Sequence, residues 1–204
     1  MADDDRVPDL EEYHDKRDTH RSGEPSGRRG VARRTGRTGK GPVFVVQRHD
    51  ASSLHFDFRL EVDGALVSWA VPKGPSLDPR DKRLAVRVED HPLDYAGFEG
   101  RIGEGYGHGT VVVWDTGSFD NATERRGEPV SAADALEAGH LKVVLHGEKL
   151  TGAFALTHTK MGGDEKNWML VKVDDEGADR RRRPTSTQNE SVLSGKTNED
   201  FEER

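Results

Sequence analysis

The run Gln47-Arg-His-Asp-Ala-Ser-Ser-Leu-His-Phe-Asp-Phe-Arg-Leu60 is where the chain concentrates its chemistry. From Leu54 to Leu60 apolar and polar residues alternate. A strand therefore places Leu54, Phe56, Phe58 and Leu60 on one face and His55, Asp57 and Arg59 on the other, polar neighbours lying roughly 7 Å apart. Val43 to His49 reads as a preceding strand, with Gln47 and His49 on a common face next to a Ser52-Ser53 turn. His49, His55 and Asp57 then make a two-histidine, one-carboxylate set, which suits a divalent cation with open coordination positions such as Mn, Fe or Zn. Arg59 is no ligand. Its planar fork of donors suits a phosphate or carboxylate bound beside the cation. Two histidines and an Asp–Arg pair also fit turn hydrogen bonds and a solvated sheet face, but the convergence of four polar groups favours a site.

The flanking segments supply the frame. Asp63-Gly64, between Leu60-Glu-Val62 and Ala65-Leu-Val-Ser-Trp-Ala-Val71, is a type I′ hairpin signal that gives the metal strand an antiparallel partner. Pro72-Lys-Gly-Pro75 closes that partner, with Lys73 either a phosphate contact or a solvated turn residue. Leu84 to His91 alternates again, with Leu84, Val86 and Val88 on one face and Arg87, Glu89 and His91 on the other. The glycine-dense stretch Gly97 to Gly109 fits neither nucleotide-binding fingerprint, because no Lys-Ser/Thr follows and the next segment is a strand. It reads as a tight crossing. Thr110 to Asp115 reads as a strand and Asp115 to Phe119 as a turn. Ser131 to Gly139 is a short helix capped by Ser131 and ended by Gly139, and strand signals return at His140–Leu145, Leu150–Leu156 and Asn167–Val173. Many short strands and little helix predict a mainly β fold, a small barrel or sandwich.

The chain has 204 residues, of which 32% are hydrophobic and 34% charged, so the core must come from the middle. Residues 1–40 read as an N-terminal acidic and basic segment containing a short helix near Leu10–Asp18. Residues 41–173 read as the β domain, and 174–204, with its Arg180-Arg-Arg-Arg183 run and no apolar periodicity, as a disordered tail. The absence of cysteine leaves oxygen and nitrogen as the metal donors. Neither signal peptide nor membrane span is expected. A formal net charge of -7 argues against a protein that coats DNA, while Arg28, Arg29, Arg33, Arg34, Arg37 and Lys40 could either neutralise phosphates locally or form a solvated linker.

The pattern Gln47-x-His49-x-Ala51-x-x-Leu54-His55-x-Asp57-Phe58-Arg59-Leu60 resembles the signature of the 3′-phosphoesterase module of bacterial DNA ligase D, which also occurs free-standing. The similarity runs from about Leu10 to Lys172 and reappears at Ser191–Thr197. His91-Pro-Leu-Asp-Tyr95 resembles the second motif of the family, and Lys16-Arg17-Asp18 with Glu24-Pro25 its N-terminal one. Thr19-His20 and a glycine loop shortened around Gly103 depart from the pattern.

The resemblance implies a closed β-barrel with its site in a concave face, and Mn²⁺, with Zn²⁺ or Co²⁺ as alternatives, held by His49, His55 and Asp57. It implies that Arg59 and His91 bind the phosphate, that Tyr95 and Gln47 orient it, and that Glu89, Arg17, Asp18 and Glu24 support activity. Either His91 or a water at the cation would protonate the leaving group. The implied activity removes terminal ribonucleotides and phosphates from DNA 3′ ends, leaving a 3′-OH. Primer-templates or break ends would be the partners, alongside ligase, polymerase and end-binding proteins in non-homologous end joining. The expected protein is a cytoplasmic, nucleoid-associated monomer with no membrane contact. Two rival readings are a mononuclear iron, 2-oxoglutarate-dependent oxygenase using His55, Asp57 and a later histidine such as His140, and a non-catalytic module that binds DNA ends or partner proteins.

Overall fold

The computed structural model of the chain describes residues 9–27 and 41–202, and the basic run from Arg28 to Lys40 lies outside them. The strands are β1 (Val43–Asp50), β2 (Leu54–Val62), β3 (Ala65–Val71), β4 (Arg83–Pro92), β5 (Gly100–Ile102), β6 (Gly109–Asn121), β7 (Glu124–Arg125), β8 (Glu128–Pro129), β9 (His140–His146), β10 (Thr151–His158) and β11 (Asn167–Lys172). Hydrogen bonds run in the order β1-β2-β3-β4-β11-β10-β9-β6, and β6 returns to β1, so the sheet closes into an eight-stranded antiparallel barrel with β5 as an extra strand on β6. Closure leaves these eight strands no free edge. Among the described residues no helix is long and apolar enough to cross a membrane.

Period-two alternation decides what each strand residue does. Phe44, Val46, Phe56, Phe58, Leu60, Trp69 and Trp114 belong to the main core cluster inside the barrel. Val45, Leu66 and Val113, with their opposite orientation, form a second cluster with Tyr13 and Tyr95 on the outside. That outer cluster is covered by α1 (Glu11–Lys16), which carries Tyr13, and a 3₁₀ turn at Leu93–Gly97, which carries Tyr95; α2 (Thr19–Ser22) follows α1. Two layers therefore sandwich the β1–β2 face. Asp63 and Gly64 have φ of 49° and 79°, as a type I′ hairpin requires. The expected helix after Ser131 forms as α3 (Ala132–Glu137), with the Ser131 hydroxyl accepting from the Asp134 amide.

Three expectations are corrected. The turn foreseen at Asp115–Phe119 is a continuation of β6: a bulge shifts the register so that Val46 faces Asp115 while Gln47 faces Val113. In β4, Leu84 is exposed and Ala85 buried, so the row of large apolar residues is not the row that enters the core.

The third correction concerns residues 174–202, which are laid down on the barrel. They carry α4 (Pro184–Thr187), and Pro184 is buried. The Trp114 indole donates to Gln188 O at 2.5 Å, the Val192 amide donates to Val113 O at 3.0 Å, and the Ser191 hydroxyl meets the Glu99 carboxylate. Asn198 is fully buried. Its amide donates to Thr110 O (2.8 Å) and Arg48 O (3.2 Å), while its carbonyl accepts from Arg48 Nη1 at 2.5 Å. A strap held by hydrogen bonds to backbone needs no apolar period, which is why composition pointed to disorder.

Removing the Asn198 amide would leave the buried Arg48 guanidinium without its side-chain acceptor. Asn198→Ala is therefore expected to lower unfolding stability by about 2–3 kcal/mol in urea titrations. A loss below about 0.5 kcal/mol would show that the strap is not held this way.

Candidate active site

The β1–β2 register pairs Gln47 with Asp57 and His49 with His55. Side chains paired across neighbouring strands on one face lie close enough to share a ligand, and one donor atom from each of His49, His55 and Asp57 lies within 4.8 Å of the others. His49 Nδ1 is 3.4 Å from Asp57 Oδ2 and His55 Nε2 is 3.5 Å from Asp57 Oδ1. The far nitrogen of each imidazole is already engaged: His49 Nε2 with Gly107 O at 2.8 Å and His55 Nδ1 with Ser53 O at 3.1 Å. A carbonyl only accepts, so both far nitrogens carry the proton and the inward nitrogens present lone pairs. This second layer of bonds is what metal-ligating histidines require. The residues fit a divalent cation.

Burial would raise the Asp57 pKa, but the Arg59 charge and the bonds with His49 and His55 outweigh it and hold the carboxyl well below its ordinary range. Burial would lower His55, yet the bond to Asp57 and its charge leave that imidazole raised. Protonation of His55 and cation binding therefore compete for the same inward nitrogen.

Arg59 sits beside the set. Its Nη2 is 3.3 Å from Asp57 Oδ2 and its Nε donates to Gln47 Oε1 at 2.8 Å. Gln47 is oriented in turn, its amide donating to Tyr95 O (3.1 Å) and Phe98 O (3.0 Å). The guanidinium lies over the Tyr95 ring at 5.0 Å. Its Nη1 is buried and has no hydrogen-bond partner, an uncommon condition for a charged donor.

The N-terminal segment completes the pocket. Arg17 donates from Nη1 to Glu89 Oε1 at 2.5 Å and from Nε to Glu24 Oε1 at 3.0 Å, and its Nη2 is 3.3 Å from His91 Nε2. Tyr95 donates its hydroxyl to the same Glu24 oxygen at 2.8 Å, while Glu24 Oε2 is buried without a partner. His91 Nδ1 is held by Glu89 O at 2.9 Å, which turns Nε2 toward Arg17 as the acceptor. Ten of the eleven residues singled out from the sequence thus form one connected set. Asp18 does not join it: exposed, it caps α2 by accepting from the His20 amide at 3.2 Å.

His140, proposed as a distal ligand in the oxygenase reading, is hydrogen-bonded to Thr157 and absent from the ligand cluster, where His49 holds the third place. Sequence reading missed the carbonyls of Ser53 and Gly107, which carry no side-chain signal. It also left Tyr106 in the glycine loop without comment.

Burial, with the nearby Arg59 and Arg17 charges, pushes the His91 pKa well below its ordinary value. An unfolded histidine takes up a proton near pH 6.5 and the folded one does not. His91 therefore contributes stability that is fully present above about pH 6.5 and is lost as pH falls below it, by up to about 1.4 kcal/mol per pH unit. Urea titrations from pH 7.5 to 5 should show a steeper decline for the wild-type chain than for His91→Gln. Equal slopes would place the neutral imidazole elsewhere.

Residues 47–158 match the family described as the DNA Ligase D 3′-phosphoesterase domain. The chain is 50% identical over 192 residues to the multifunctional non-homologous end joining protein LigD of Pseudomonas aeruginosa, covering 90% of this chain and 22% of that protein. It is 41% identical over 168 residues to LigD of Mycolicibacterium smegmatis, covering 82% of this chain and 21% of that one. It is 44% identical over 137 residues to the LigD repair protein of Mycobacterium tuberculosis, covering 67% and 16%. The chain thus spans about a fifth of the length of these relatives. The matched segment runs from Gln47 on β1 past His91 and Tyr95, and on that ground the chain belongs to the DNA ligase D 3′-phosphoesterase domain family.

Proposed function

We propose that the chain is a Mn²⁺-dependent phosphoesterase that heals DNA 3′ ends, removing terminal ribonucleotides and 3′-phosphates to leave a 3′-OH. The observation that carries this reading is Arg59 Nη1, a buried cationic donor without a partner beside a metal-suited triad. A phosphate oxygen supplies the acceptor that this donor lacks.

His49 Nδ1, His55 Nε2 and Asp57 would hold the cation, with Zn²⁺ or Co²⁺ as other occupants of the same nitrogen and oxygen donors. When bound, such an ion supplies Lewis-acid polarisation of a phosphate oxygen and neutralises its charge. Arg59, braced by Gln47 and stacked on Tyr95, binds a non-bridging oxygen as charge develops there. His91 stays neutral while burial and the nearby Arg59 and Arg17 charges disfavour its protonated form. An entering phosphate opposes the Arg59 and Arg17 fields and raises its proton affinity, so His91 Nε2 becomes the atom that carries a proton to the phosphate or to the departing 3′ oxygen. The bond broken joins phosphorus to O3′, water supplies the new oxygen on phosphorus, the phosphate or terminal nucleotide departs, and the DNA strand keeps O3′ with the proton as its 3′-OH. Arg17, Glu24 and Glu89 hold His91 and Tyr95 in place.

The relatives' names place them in non-homologous end joining. By that likeness the substrates would be primer-template or break ends in the nucleoid, and the 3′-OH product is what a ligase and a polymerase consume.

Replacing a ligand tests the centre. His49→Ala or Asp57→Ala should reduce phosphate release from a 3′-phosphate primer-template by at least about a hundredfold with thermal unfolding still cooperative, and chelation should do the same to the intact chain until Mn²⁺ is restored. Activity that survives either substitution removes that residue from the ligand set. Arg59→Lys keeps the charge but loses the fork shared by Gln47, Asp57 and the phosphate. Its kcat should fall by about 10²–10³ with little change in unfolding, and a kcat within threefold of wild type would deny Arg59 that role.

A further inference from the structure

Four large hydrophobic side chains are exposed among the described residues, and Tyr106, at 52%, is the most open of them. It lies in the loop between β5 and β6, flanked by Gly105 and Gly107 with φ of 120° and 80°, values that an L side chain rarely adopts. The path of the chain on either side of the ring is therefore set by glycine. Gly107 O is the acceptor that fixes His49, so the ring stands one residue from a bond of the metal centre. On the other side, the ring lies 5.1 Å from the Arg17 guanidinium and 5.4 Å from Lys16 Nζ, and Arg17 touches His91. The aromatic surface thus borders the grooves that flank the phosphate pocket.

An exposed ring held in place by the active-site frame has a specific use when the substrate is the end of a nucleic acid. The base of the terminal nucleoside is one sugar away from its 3′-phosphate, so seating the phosphate on Arg59 and His91 brings the base near this loop. We propose that Tyr106 is a substrate-binding residue that stacks on the terminal base of the 3′ end. The inference rests on the phosphoesterase reading of the same pocket. Stacking uses the π-face that every base offers, so the contact grips the end without reading its sequence. The cations beneath the ring, Lys16 and Arg17, strengthen it for the same reason that they sit there: the ring face is electron-rich.

The test compares a 3′-phosphate primer-template with the same duplex whose terminal nucleotide lacks its base. Tyr106→Ala should raise KM about tenfold on the base-bearing end, equivalent to about 1.4 kcal/mol, and leave kcat within about twofold. On the abasic end, where wild type is already weakened, the substitution should add nothing, and Tyr106→Phe should behave as wild type on both. Equal losses on the two ends would mean that the ring only supports Arg17, and would overturn the proposal. A second arm needs no turnover: in the chelated protein, 2-aminopurine placed at the 3′ terminus should be quenched on binding to wild type and not to Tyr106→Ala. Failure to bind, or a bound but unquenched base, overturns stacking. Quenching with no phosphate release by the Mn²⁺-loaded wild type would leave stacking in place and overturn the phosphoesterase reading instead.

Discussion

The pairing of His49 with His55 and of Gln47 with Asp57 is the constraint from which the rest of the site follows. Side chains alternate strictly along a strand, so a slip of one residue between β1 and β2 would turn the imidazoles and the carboxylate toward the barrel interior and its aromatic residues toward solvent. The interior forbids this. Phe44, Val46, Phe56, Phe58 and Leu60 are buried in one cluster with Trp69 and Trp114, and burying each such side chain contributes about 1.5–3 kcal/mol. The hydrophobic face of the two strands therefore fixes the positions of the polar atoms on the other face. Precision at the metal-suited triad is a consequence of packing that never touches it.

Burying so much charge is unfavourable unless each charge is met by its opposite. Asp57 is met by Arg59, while Glu24 and Glu89 are met by Arg17, with Lys16 also reaching Glu89. The balance is incomplete at two atoms, Arg59 Nη1 and Glu24 Oε2. An unpaired cationic donor next to a triad of lone pairs has a simple resolution in a cation and an anion that arrive together. The neutral state of His91 belongs to the same balance, because burial disfavours its charged form and two guanidiniums beside it already supply positive charge.

Much of this was legible in the sequence because period-two alternation is a geometric rule. Leu54 to Leu60 could be divided into two faces by inspection, and the I′ turn at Asp63-Gly64 followed from the need for two positive φ angles. What was not legible depends on partners distant in the chain. The β6 bulge arises from how β6 meets β1, so Asp115–Phe119 looked like a turn when read alone. Leu84 misleads in the same way, since alternation says which residues share a face but not which face is covered. Asp18 shares a motif with Arg17 and Glu24, while the local geometry gives it the task of a helix cap. The strap from 174 to 202 lacks apolar periodicity because its anchors are amides and carbonyls.

These anchors also bear on the site, because β1 is covered on both of its faces by segments far from it in sequence. Outward, Val45 packs in the cluster that contains Tyr13 and Tyr95, and Arg17 from the same N-terminal segment reaches His91. At the barrel end, Arg48 and Thr110, which immediately precede His49 and Val111 in their strands, are bonded to Asn198. His49 is thus clamped between a residue tied to the C-terminal strap and a glycine carbonyl of the loop that carries Tyr106. A ligand held to within a fraction of an ångström needs support on every side. In this barrel the support comes from three segments distant in sequence that converge on β1, two of which also meet each other where Tyr106 lies against Arg17, so the stiffness of the site is a property of the whole fold rather than of the signature that reveals it.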